Sequence, residues 1–204
     1  MRMKRILLLI VALCGVVTLG AQNNGSEVLE RVSQKIGLLG NYRIEFEVKI
    51  PATEAPSKGY CLVGGNKYVI DIDGMAQAFD GEAVYMLNHI TREVTIDEPR
   101  PKSRSLFDNP TKAFDFDSEL FSIDKTTYEA AMIHLWLTPA EGVLEGVEQV
   151  HLVVDSDTML PSSLSYDFAG AVLSIKVRKF ESAVTSEDDF GVALPSDYEV
   201  IDFR

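Results

Sequence analysis

The stretch Lys58–Pro99, KGYCLVGGNKYVIDIDGMAQAFDGEAVYMLNHITREVTIDEP, decides the fold. Short apolar segments alternate in it with Gly, Asn and Asp clusters. Gly59–Val63 is followed by Gly64-Gly65-Asn66, and Lys67–Ile72 by Asp73-Gly74. Ala76–Phe79 leads to Asp80-Gly81-Glu82, Ala83–Leu87 to the turn Asn88–Ile90, and Thr91–Asp97 to Pro99. These turn residues tolerate positive φ at little cost, as tight hairpins require. The spacing predicts an antiparallel meander with one buried face, and something apolar must cover that face.

Upstream, Tyr42–Ile50 alternates in the same way. Ile44, Phe46, Val48 and Ile50 share one face, and Arg43, Glu45, Glu47 and Lys49 the other. Before it, Val28, Leu29, Val32 and Ile36 recur at helical spacing after Ser26. They predict an amphipathic helix of about three turns, ended by Gly37 or Gly40. Downstream, Arg100–Arg104 is a basic, Pro-containing connector. In Leu106–Ile123, Asp108 or Asn109 can cap a helix that has Pro110 in its first turn. Its large apolar residues, Leu106, Phe107, Phe114, Phe116, Leu120 and Phe121, are interspersed with acids. Such a segment is a core-completing helical connector or a cover over an apolar cavity. Strands are expected at Thr127–Leu137, Val147–Val154, Pro161–Phe168, Val172–Phe180 and Asp197–Phe203, with an acidic turn at Thr185–Phe190.

The fold class is therefore α+β. About eleven strands form a large, curved, mostly antiparallel sheet, an open half-barrel with an N-terminal helix and a mid-chain helical lid on its concave side. Two helical pieces cannot fill the concave side of so large a sheet, which predicts an apolar hollow.

Met1–Arg5 is basic, Ile6–Val17 apolar and Thr18–Ala21 small. That order reads as a signal peptide cleaved near Ala21, leaving residues 22–204 as one domain. Lipidation at Cys14 is the rival reading, but Leu13 is a poor residue to precede such a site. The chain carries −12, and loss of Arg2, Lys4 and Arg5 takes this to −15. Phosphate backbones are repelled by such a charge, so nucleic acid is excluded as a partner. Cys61 is then the only mature cysteine and reads as a small buried residue.

No constellation for catalysis stands out. His89, His134 and His151 lack the spacing of metal-binding motifs, and no G-x-S-x-G elbow is present. Gly64-Gly65 opens no helix. Asp71 and Asp73, Asp115 and Asp117, and Asp155 and Asp157 read as solvated turns rather than calcium loops. No enzyme activity, cofactor or metal is expected.

Several segments together resemble the LolA-like periplasmic lipoprotein carriers. They are Gly59–Tyr68, Phe79–Asn88 with its Asp80-Gly81 turn, Asp155–Pro161 with the pattern D-x-x-T-x-x-P, and Ala193–Asp202 with Pro195 and Val200. The resemblance implies a half-barrel whose concave side holds the acyl chains of a lipoprotein in transit to the outer membrane, with another lipid as the alternative guest. It also implies a periplasmic location and membrane-bound donor and acceptor proteins as partners. The chain is expected to be a monomer; a non-catalytic envelope binding or sensor module on the same fold is the alternative. Candidate ligand-contacting residues are Ile44, Phe46, Val48, Leu62, Tyr68, Ile70, Tyr85, Leu87, Phe107, Phe114, Phe116, Leu120, Phe121, Ile133, Leu135, Leu152, Leu164, Tyr166, Leu173 and Ile175. Where well-studied carriers place an Arg that latches the lid, this sequence has Gly64, so any latch must be built from other residues.

Overall fold

The computed structural model describes residues 25–51, 53–192, 194 and 196–204. The leader Met1–Ala21, with its cleavage site and Cys14, lies outside these, as do Ala193 and Pro195. One α-helix, α1 (Gly25–Leu39), precedes twelve strands. These are β1 (Tyr42–Lys49), β2 (Ser57–Gly64), β3 (Lys67–Ile72), β4 (Met75–Phe79), β5 (Val84–Asn88), β6 (Glu93–Asp97), β7 (Phe121–Glu129), β8 (Met132–Pro139), β9 (Gln149–Asp155), β10 (Pro161–Phe168), β11 (Ala171–Ser182) and β12 (Glu199–Asp202). All belong to one open sheet in the order β12-β6-β5-β4-β3-β2-β1-β11-β10-β9-β8-β7. Every neighbouring pair is antiparallel except β12 on β6.

The sheet curls. Ile201 of β12 and Phe168 of β10 line the same cavity although they stand eight strands apart in the sheet order. In a flat sheet that separation would be about 38 Å.

The helix ends at the second of the two expected glycines. Gly40 has φ +66 and its N–H donates to Gly37 O at 3.2 Å. Val28, Leu29, Val32 and Ile36 are buried and join the main core with the inward residues of β1, β2 and β8–β10. Close packing of the helix onto β7 needs Gly25: a Cβ there would lie 2.5 Å from Thr126 Oγ1.

The count of twelve rather than eleven strands comes from one hairpin. The segment expected as a single strand, Thr127–Leu137, is split between β7 and β8 by a turn at Ala130-Ala131. Ala130 adopts φ 52 there without the Gly, Asn or Asp that normally marks such a turn.

The mid-chain segment also differs from expectation. No α-helical lid forms; Leu106–Ile123 contains only a five-residue 3-10 turn, Pro110–Phe114, and its last three residues open β7. Asn109 caps the turn, its side chain accepting from Thr111 N, and Asp115 ends it in an extended conformation. Beyond it Phe114 and Phe116 are buried while Asp115 and Asp117 are exposed, a period of two rather than 3.6. Asp117 binds the Glu119 N–H through its own carboxylate, in competition with helix continuation. The result is an irregular strap over residues 100–120.

Outside the bowl, polar residues dominate. Arg43 stacks over the Tyr60 ring at 4.0 Å, and Arg178 pairs with Glu47. One cross-strand row carries Lys125, Trp136, His151, Ser165 and Ser174. A small second core, Ala83, Val94 and Ile96 with Tyr85, Leu87 and Tyr198, also lies on this convex side. Phe190, in the connection from β11 to β12, packs against Gly64: a Cβ on Gly64 would meet its ring at 2.5 Å. The glycine at that position therefore serves convex-side packing.

Candidate functional site

Beside α1 and the strap, the concave face is left partly open. The space is a cavity of about 760 Å³, within the range of small-molecule sites. Strand alternation builds its walls. Phe46 and Val48 of β1, Ile70 and Ile72 of β3, Met75 and Gln77 of β4 and Met86 and Asn88 of β5 come from the meander and its neighbour. Leu173 and Ile175 of β11 with Phe168 of β10 form the opposite wall, and Leu106, Phe107, Pro110, Ala113 and Phe114 of the strap supply the roof. The rim is apolar yet exposed to water: Met75 is 54%, Met86 51%, Phe107 71% and Ile90 77% accessible.

The strap is bonded to the sheet at Asp108 and Ala113 and braced internally at the Asp108 carboxylate. Tyr68 Oη and Gln77 Nε2 donate to the backbone carbonyl of Asp108 at 3.4 and 3.2 Å, and Gln77 Nε2 also donates to Tyr68 Oη at 2.9 Å. Ser103 Oγ donates to the Asp108 carboxylate, which Arg100 approaches at 3.6 Å. Deeper in, Tyr166 Oη donates to Ala113 O at 2.6 Å. Burial raises both phenols, Tyr68 to about 12 and Tyr166 further still, so each keeps its proton and remains a donor. Tyr68 and Gln77 thus tie the strap to β3 and β4.

A second space of about 340 Å³ lies between α1, the start of β1 and the strap. Phe114 lines both spaces and divides them, with its ring edge-on to Phe180 at 6.1 Å.

The structure sorts the candidate residues into three groups. Phe46, Val48, Ile70, Leu87, Phe107, Phe114, Leu173 and Ile175 line the larger cavity. Ile44, Tyr68, Phe116, Leu120, Phe121, Ile133, Leu135, Leu152, Leu164 and Tyr166 lie in or against the main core, away from that lining. Leu62 and Tyr85 do not belong to the concave side. Leu62 pairs in register with Arg43 and Val69 on the convex face, while its neighbours Cys61 and Val63 point inward. Tyr85 packs on the convex cluster; Leu87 contacts that cluster as well as lining the cavity. The parity of β5 is set by the four-residue link from Phe79 to Val84, which are paired. Asp80 Oδ1 accepts from Glu82 N and Ala83 N, closing that link. Inward-facing residues of β5 are therefore Val84, Met86 and Asn88, and a one-residue difference in link length reverses the assignment.

Lining residues that the sequence reading passed over include Ile72, Met75, Gln77, Met86, Phe168 and Ile201. Ile72 was readable from its spacing to Ile70. Ile201 was not, because it depends on β12 crossing the sheet to pair with β6.

Among the described residues no cluster of three or more His, Cys, Asp or Glu is arranged to hold a metal ion. The Cys61 thiol is fully buried and pushed up to about 12 by burial, which leaves it a packing group.

An open antiparallel half-barrel with an apolar, partly roofed concave face is the class that this geometry defines. No protein-family model matches the chain. No curated protein matches it. Solved structures do. An uncharacterized conserved protein from Thermus thermophilus is similar over 88% of this chain and 99% of its own, at 13% identity and a TM-score of 0.60. An outer membrane lipoprotein-sorting protein domain from Vibrio parahaemolyticus covers 81% of this chain and 95% of its own, at 11% identity and a TM-score of 0.48. A LolA superfamily protein from Nitrosomonas europaea covers 81% and 96%, at 10% identity and a TM-score of 0.41. At these identities the likeness is one of fold.

Proposed function

We propose that this protein is a non-enzymatic periplasmic carrier that shields the acyl chains of lipoproteins in its concave cavity during transport to the outer membrane. One observation supports this reading above others: an apolar space of about 760 Å³ whose rim keeps Met75, Met86, Ile90 and Phe107 in water. Exposed apolar groups of that size cost free energy unless something covers them, and acyl chains would cover them at a gain of about 0.8 kcal/mol per buried CH₂. A module that acts only through its outer surface has no need of this hollow, so the open half of the bowl favours the carrier over the sensor reading. The strap meets a carrier's second requirement. Its residues 106–110 are held through a few hydrogen bonds at Asp108 rather than as a packed helix, and release of a guest needs a roof that can part. The basic–apolar–small leader at Met1–Ala21 agrees with an exported protein.

The test is binding of a neutral solvatochromic dye, N-phenylnaphthylamine, together with native mass spectrometry of freshly purified protein. Saturable dye binding and a co-purified lipid or lipid-modified protein are expected. Ile70→Asp, in the cavity wall, should abolish binding, and Val172→Asp, on the convex face, should not. Absence of dye binding in the unaltered protein would sink the carrier reading.

A further inference from the structure

The charged residues that line the cavity are of one sign. Among the described residues that line it, only Asp73 and Glu93 are charged, and no Lys, Arg or His is present. Both acids lie at the same end of the strands. Asp73 sits in the β3–β4 turn, one residue beyond Ile72, and the cross-strand row from Ile72 runs through Met75, Asn88 and Glu93 to Glu199 of β12. The two lining carboxylates therefore stand at one end of the strands beside the exposed Met75 and Ile90, with Glu199 paired in register next to Glu93.

The nearby cations are engaged elsewhere. Arg92 pairs with Asp197 at 3.2 Å. Lys58 lies opposite Glu47 in the β1–β2 register and acts on that carboxylate on the convex face. His89 Nδ1 shares a 2.7 Å hydrogen bond with Tyr198 Oη. The whole chain adds a field of the same sign, with a net charge of −12.

We infer that the cavity selects amphiphiles whose alkyl chain ends in a cationic ammonium head, and discriminates against anionic heads. The inference rests on the carrier reading and extends it to the chemistry of the guest. With the chain along Ile70, Ile72 and Leu173, the head reaches the mouth where Asp73 and Glu93 stand. There an ammonium can meet Glu93 beside the polar side chains of Asn88 and Thr95, while Asp73, about 14 Å away across three strand spacings, adds to the negative field. A carboxylate or phosphate head would face like charge without a compensating cation in the lining.

Three probes with one dodecyl chain test this: dodecyltrimethylammonium, dodecanol and laurate, each used below its micelle concentration to displace N-phenylnaphthylamine. Dodecyltrimethylammonium should bind about fivefold more tightly than laurate at low salt, with dodecanol between them, because rim charges are exposed and each contributes modestly. High salt should shrink the ratio. In the Asp73→Asn, Glu93→Gln double variant the three affinities should converge to within about twofold, since those two carboxylates carry the selection. The variant preserves local geometry. Asn tolerates the φ of 49 at this turn and can still accept from Lys58 N, and Gln can still accept from Thr91 Oγ1. Laurate binding as tightly as the ammonium, or an ammonium preference that survives unchanged in the double variant, overturns the head-group inference while leaving the carrier reading intact. If the dye itself fails to bind, or none of the three probes displaces it, the carrier reading falls with it.

Discussion

The two sides of β1 use the same strand grammar and end in opposite states. Towards β7, inward residues are sealed: Leu135, Leu137, Leu152, Leu164 and Tyr166 are at most 1% exposed. Towards β12, inward Met75 and Met86 are about half exposed. The difference lies in what covers them. Val28, Leu29, Val32 and Ile36 of α1 reach into the first half together with Phe114 and Phe116 of the strap. Among the described residues no helix faces β4, β5 and β6, and their inward residues line an open space instead. A long sheet with one helix and one strap can fill only part of its bowl.

Truncations on the two sides should differ sharply. Leu152→Ala, in the sealed half, should cost about 2–5 kcal/mol in chemical unfolding, as buried Leu truncations do. Met86→Ala, at the open rim, should change stability by under about 0.5 kcal/mol. Equal losses would mean that the open half is closed in solution. Next in size comes the partition. Phe114→Ala should cost about 3–5 kcal/mol and join the spaces of about 760 and 340 Å³, so that longer alkyl chains gain affinity relative to shorter ones. Unchanged chain-length preference would show that Phe114 does not separate the halves.

Smaller effects concern the latch and the outer face. Tyr68→Phe removes the phenol shared by Gln77 and Asp108, and should cost about 0.5–1.5 kcal/mol while speeding dye release. Dye release at the unaltered rate would remove the strap's role as a latch. On the convex side of the sealed half, His151 is stacked on Trp136 at 4.5 Å and lies 3.2 Å from His134 Nδ1 through its Nε2. Desolvation first, and then His134, lower the proton affinity of His151 below the ordinary value of 6.5. Lys125 over Trp136 and Glu129 near His134 are the other charges facing this stack. The unfolded chain thus binds the proton more tightly. The stabilisation is present above pH 6.5 and lost as pH falls through the depressed native value. A small fall in unfolding midpoint on acidification, followed by fluorescence of the single Trp136 and flattened in His151→Gln, is expected. An identical pH slope in the variant would exclude His151 as the source.

Much of the fold was legible because hairpin chemistry is local. Gly65, Asp73, Gly74 and Gly81 at positive φ punctuate the meander, and period-two alternation grouped the inward residues Ile44, Phe46 and Val48 of β1. The α-helical lid was misread because the spacing of its aromatics is compatible with several backbones, and Asp side chains that bind their own backbone settled the matter against a helix. The hairpin at Ala130 carried no turn residue to read. The site was legible only in part. Alternation said which residues within a strand share a face, but not which face. That needed the register, as Leu62 and Tyr85 show.

By itself, the sequence determined that an antiparallel sheet forms, that its strands have one apolar face, and that an amphipathic helix must pack upon it. Those outcomes follow from short-range sterics and side-chain periodicity. Only the tertiary structure decided which half of the bowl stays open, where β12 crosses, and that Asp73, Glu93 and Glu199 stand along one end of the strands. These depend on strand order and curvature, which bring together residues far apart along the chain.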